Sequence, residues 1–207
     1  MAVVKKKRAA KSSVGADAAE LPVLEFARPS AWLKWLERHH GSARGVWIKL
    51  AKKSSGQLSI TYDEALDGAL RWGWIDGLKR SHDERAWLQK FTPRGARSIW
   101  SKINRDKALA LIERGEMQPP GLAEVERAQG DGRWEAAYDS ARGSTVPEDL
   151  AAALAKNPRA AEFFTKLNAA NRYAILWRLQ TAKRAETRQR RLEQFVAMLA
   201  RHEKIHP

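Results

Sequence analysis

The chain has 207 residues, a formal net charge of +14 and no cysteine. Its length suits one well-buried core with an appendage. The missing cysteine excludes a disulfide framework, a thiolate metal site and a cysteine nucleophile. The positive charge favours polyanions in general, whether nucleic acid, anionic lipid or phosphorylated ligand. No apolar run reaches the roughly eighteen residues of a membrane span, and no apolar segment follows the basic start, so a cytoplasmic protein is expected.

Residues 1–19 carry Lys5, Lys6, Lys7, Arg8 and Lys11 against Asp17 alone. Small residues fill the rest, too few of them large and apolar to offset the entropy of ordering, so this segment is expected to be a disordered basic arm. It accounts for +4 of the +14, leaving +10 on residues 20–207, which are expected to form the folded domain. The first helix is expected from Pro29 through Trp32, Leu33 and Leu36, ending before Gly41. Gly45 to Leu50 alternates Val46, Ile48 and Leu50 with Trp47 and Lys49, as a half-buried strand does. Thr61 with Glu64 makes a capping box before the apolar stripe of Ala65, Leu66, Ala69 and Leu70, a helix that should stop at Gly73. Trp74 to Arg80 and Arg85 to Thr92 read as a hairpin turned through Ser81, His82 and Asp83.

After Pro93 and Gly95, either Ser98 or Ser101 caps a helix running through Ile103, Leu109 and Leu111 toward Gly115. A shorter helix through Leu122 and Val125 follows the loop at Pro119 and Pro120. Beyond Gly130 the pattern is helical, with a second capping box expected at Thr145 and Glu148 and a helix opened by Pro158 after Asn157. The last stretch, 172–201, changes its apolar face between Ile175, Leu176, Leu179 and Leu192, Phe195, Val196, Leu199, so either the helix breaks or its halves pack on different neighbours. The fold class is therefore α+β, a small antiparallel sheet with flanking helices and a mostly helical C-terminal half, roughly 145–201.

Two segments are similar to motifs of a known family. Gly73, Trp74, Ile75, Asp76 and Gly77 form one; Phe91, Thr92, Pro93 and Arg94, then Ser98, Trp100, Ser101 and Asn104, form the other. Gly132, Arg133 and Trp134, Val146 and Pro147, and the run Ala182, Lys183, Glu186, Thr187, Arg188 are further matches. Together, from about Val23 to Ala200, the chain resembles the YdeI/OmpD-associated (bacteriocin-protection) family. The resemblance implies a bacterial cytosolic protein associated with protection against bacteriocins or other envelope-active peptides, and implies no established catalytic residue. Arg71 and Trp72 stand where members often carry a cysteine, so no thiol role carries over.

The candidate ligand site comprises Trp74, Asp76, Arg94, Arg97, Ser98, Trp100 and Asn104. Two arginines beside the amides of a helix N-terminus would bind phosphate or carboxylate, the guanidinium fork matching both. The structural alternative is an Asp76–Arg94 ion pair that pins the hairpin to the helix. Eight of the nine tryptophans lie between Trp32 and Trp134, as buried core or, for Trp74, Trp87 or Trp100, as a stacking groove.

A second set, Lys5, Lys6, Lys7, Arg8, Arg184, Arg188 and Arg191, would neutralise phosphates if exposed together, giving weak non-specific nucleic-acid binding; a solvated or internally paired helix face is the alternative. No P-loop, dinucleotide fingerprint or metal-ligand cluster occurs, so no cofactor or metal is expected. The leading expectation is a non-enzymatic protection protein that recognises an anionic small molecule or acidic protein partner. The alternatives are a nucleic-acid-binding accessory protein, and an enzyme on a phosphorylated or peptide substrate with Asp76 as general base.

Overall fold

The computed structural model describes residues 20–207, so the expected basic arm with Lys5, Lys6, Lys7 and Arg8 lies outside the described residues. The elements in order are β1 (Val23–Glu25), α1 (Pro29–His39), β2 (Val46–Ala51), α2 (Tyr62–Arg71), β3 (Trp74–Ser81), β4 (Ala86–Pro93), α3 (Lys102–Glu113) and α4 (Pro119–Gly130). Four more helices follow: α5 (Glu148–Ala155), α6 (Pro158–Lys166), α7 (Ala169–Gln180) and α8 (Ala185–Ala200). The class is α+β. The sheet runs β1-β2-β4-β3, and its β2–β4 and β3–β4 pairs are antiparallel as expected. The short β1 adds a parallel edge beside β2, which makes the sheet mixed. Three residues of VLE are too short for alternation to be read from sequence, and only pairing to Trp47, Ile48 and Lys49 defines them as a strand.

Local signals set most boundaries. Pro29 opens α1, and Thr61 and Glu64 complete the capping box of α2. Ser101, not Ser98, caps α3 by accepting from the Asn104 amide, and Asn157 and Asn168 cap α6 and α7. The capping box expected at Thr145 and Glu148 does not form. Pro147 occupies the N-cap position of α5, so Glu148 is the first helical residue and Thr145 falls outside the helix. The change of apolar face in the last stretch is resolved by a break: α7 ends at Gln180 and α8 starts at Ala185.

Two hydrophobic clusters result. The first joins the inner face of the sheet (Val46, Ile48, Leu50, Phe91, Trp74) to α1, α2, α3 and α4. At its centre the Trp32 indole donates to the Ala65 carbonyl and packs against Trp35, Trp74 and Phe91. That approach requires Gly68, because a Cβ there would meet the Trp32 ring at 2.6 Å. The second cluster is wholly helical, built from Leu150, Phe164, Ile175, Leu179, Leu192, Phe195 and Leu199. Between the clusters Tyr138 meets Trp177 edge to face, Tyr173 donates to the Asp139 carbonyl, and the Gln180 amide brackets the Asp139 side chain and backbone.

Candidate functional site

Tyr62, the first residue of α2, stands at the centre of the polar seam between the hairpin and the helices. The capping box fixes the start of α2, and Asp76 lies on β3 opposite Phe91, on the face of the sheet that carries the core. The Tyr62 hydroxyl therefore reaches Asp76 and donates to its Oδ2 at 2.8 Å. Burial first, and then the Asp76 charge, push the Tyr62 phenol well above the ordinary tyrosine range, so it stays a neutral donor.

A cavity opens on each side of Tyr62. The first, about 340 Å³, is lined by all three tyrosines of the chain together with Asp76, Ser101 and Asn104. Burial also raises the Tyr138 and Tyr173 hydroxyls. Lys107 lies at its edge, tied to Asp67 and Asp63. The second cavity, about 470 Å³, is lined by Lys52, Lys53, Lys79, Trp87, Thr61 and Tyr62 with Ala51 and Ser81, and no carboxylate is among these residues. Lys79 holds its ammonium 4.2 Å from the Trp87 ring centre, and Lys52 donates to the Asp83 carbonyl.

The expected site residues are distributed unevenly around this seam. Asp76 and Asn104 line the tyrosine cavity. Trp74 is buried in the core and donates its indole N–H to the His40 carbonyl. Arg94 is 5% exposed, its guanidinium stacked 3.5 Å from the Trp100 ring centre. Among the described residues no ion pair joins Arg94 to Asp76. The Arg94 Nη1 reaches only the Ile99 carbonyl at 3.4 Å, and Nε and Nη2 are buried without a partner. Burial pulls its pKa down to about 10, which leaves it charged at neutral pH. Trp100 is buried against Trp134. Ser98 accepts from the Gly95 amide in the turn before α3, and Arg97 is exposed on that turn. The helix N-terminus and the two arginines thus do not converge on one pocket.

In the second expected set, Arg188 forks onto Asp149 through Nε at 2.7 Å and Nη2 at 2.8 Å, and gives Nη1 to the Leu179 carbonyl. Arg191 donates to the Arg178 carbonyl at the end of α7, while Arg184 is exposed at the start of α8. The guanidinium groups of Arg188 and Arg191 thus bind helix ends, and the three arginines do not form one open face. Sequence reading missed Lys52, Lys53 and Lys79 as a group. Their separation along the chain hides them, and only the pairing of β3 with β4 brings Lys79 to Trp87. Among the described residues no group of three or more histidine, aspartate or glutamate side chains is placed to hold a metal, and no helix is long and apolar enough to cross a membrane.

Comparison with known proteins divides the chain where the two hydrophobic clusters divide it. Residues 24–124 match the model of a domain of unknown function (DUF8412), which spans β1 through the first half of α4 and includes both motifs around Asp76 and Arg94. Neither the curated proteins nor the solved structures contain a match to the chain. Residues 144–202, the segment that folds as α5 to α8, match the family described as Bacteriocin-protection, YdeI or OmpD-Associated, which supports the resemblance over that part of the chain.

Proposed function

We propose that the protein is a non-enzymatic, cytosolic protection protein, acting against bacteriocins or antimicrobial peptides by recognising an anionic ligand or an acidic protein partner. The family match over residues 144–202 supports the biological context. The observation that carries the binding chemistry is the concave pocket in which Lys52, Lys53 and Lys79 surround Trp87 and Tyr62 with no lining carboxylate. Three ammonium groups attract an anion, and the indole and phenol faces supply apolar contact area of the kind a binding pocket needs. Asp76 contributes by fixing the Tyr62 hydroxyl, which holds the wall shared with the tyrosine cavity.

The test is a calorimetric titration of the protein with a short polyglutamate peptide and, separately, with pyrophosphate, at low and high salt. Binding is expected to weaken with salt, because the lysines are exposed and screened. It should weaken by about tenfold or more in Lys79→Glu, corresponding to about 1.4 kcal/mol. Equal affinities of wild type and Lys79→Glu, or no binding of either probe in low salt, would reject the reading. If the peptide alone binds, the partner is an acidic protein surface; if both bind, the recognised chemistry is the anion itself.

A further inference from the structure

We infer that the junction between the sheet-bearing and helical units contains a separate binding site for a small organic anion, a carboxylate or phosphate ester with a short apolar body. A cavity of about 380 Å³ lies where the segment 131–138 meets the turn between α7 and α8. It brings together two sequence motifs far apart in the chain, Gly132 with Arg133 and Ala182 with Lys183. The site stands on different residues from the lysine–tryptophan pocket.

The inference follows from accounting for the cavity's polar groups. Gln180 is committed to Asp139, and the Thr181 hydroxyl donates to the Trp177 carbonyl. Asp131 holds the Arg133 Nε between both carboxylate oxygens at 2.7 Å. Arg133 is 6% exposed, with Nη1 spent on the Ser98 carbonyl at 2.7 Å, yet its Nη2 is buried with no partner. Unpaired buried donors are costly and uncommon in native proteins, so a guanidinium left one N–H group short on a residue that lines a cavity points to a ligand acceptor. Lys183 stands on the opposite wall, exposed.

The lining charge is one arginine and one lysine against one aspartate, so the cavity carries a net positive charge and favours an anionic head. Ile99, Ala136 and Ala182 give the rest of the ligand an apolar surface. Because the walls come from both units, an occupant would bridge them, and its binding would stabilise their mutual packing.

The experiment is a titration of the full chain followed by amide NMR, with benzoate, hexanoate and inorganic phosphate as probes. Saturable shifts are expected at Gly132, Ala136, Ala182 and Lys183, and the Kd should rise by about tenfold in Lys183→Glu. Lys183 is exposed, so that variant should keep the wild-type melting temperature. Arg133→Lys, which keeps the charge but loses the fork, should weaken binding at an intact fold. No saturable shift at these amides with any of the three probes would overturn the proposal. So would shifts that persist unchanged in Lys183→Glu. Phosphate binding without either carboxylate would assign the head group and reject the apolar body.

Discussion

The sheet-bearing and helical units use arginine in opposite ways. In the helical unit Arg188 places all three guanidinium nitrogens, two on Asp149 and one on the Leu179 carbonyl, so it ties the start of α5 to the end of α7. In the sheet-bearing unit Arg94 is more deeply buried, yet it rests on the Trp100 ring and leaves Nε and Nη2 without partners. The first arrangement is a satisfied network, which fixes geometry. The second carries an uncompensated desolvation cost. The difference teaches that a buried guanidinium in this fold is either spent on closing helix ends, as Arg188 is, or left with unpaired donors, as Arg94 is.

The comparison can be broken most directly at Asn171, the helical unit's most complete polar clamp. It is 1% exposed, its Oδ1 accepts from the Ile205 and His206 amides, and its Nδ2 donates to the His206 carbonyl and to Asn168. Asn171→Leu should cost about 1 to 3 kcal/mol and release the C-terminal residues, since the partly buried backbone groups of Ile205 and His206 lose their partner. Urea unfolding followed by far-UV circular dichroism would measure it. A loss under about 1 kcal/mol would show that the clamp is dispensable.

Next in size is Asp149→Ala, expected to lose about 1 to 2 kcal/mol, a figure reduced because both partners are about a third exposed. The fork of Arg188 holds the Asp149 carboxyl below the ordinary carboxylate range. A depressed acid pKa gives stability that is present above the unfolded value and lost as pH falls through the folded one. The advantage of wild type over Asp149→Asn should therefore shrink below about pH 4. An advantage independent of pH down to that region would argue against the ion pair.

Thr61→Ala should cost about 1 kcal/mol by removing the cap of α2. Because that cap positions Tyr62, the alkaline limb should shift as well. The raised Tyr62 phenol contributes stability that is full below the ordinary tyrosine value and lost as pH rises toward the folded one. Tyr62→Phe should remove that alkaline dependence, measured by thermal unfolding from about pH 9 to 11. The smallest change is expected at Arg94. Arg94→Met keeps the stem on Trp100 and removes a poorly partnered buried charge, so stability should stay within about 1 kcal/mol of wild type. A loss of about 3 kcal/mol or more would mean that Arg94 is as well satisfied as Arg188.

By itself the sequence determined the elements whose signals are local. Pro29, the box of Thr61 and Glu64, the helix start at Pro158 and the alternation of Val46, Ile48 and Leu50 all act within a few residues, so they are readable before any tertiary contact forms. The reversal of apolar face after Leu179 left a break or two packing faces open, and the structure has the break. Even the helical role of Thr145 could be misjudged, because Pro147 competes for the same cap position. What a given arginine or lysine does was decided only by tertiary structure. Arg94 and Asp76 lie near each other in the motifs, but Tyr62 takes the carboxylate and Trp100 takes the guanidinium. Lys52, Lys53 and Lys79 become one pocket only through the sheet, and Arg133 meets the wall that carries Lys183 only across the junction. Charge is non-local: its meaning depends on which partners the fold brings within a few ångströms, and that distance is not encoded in spacing along the chain.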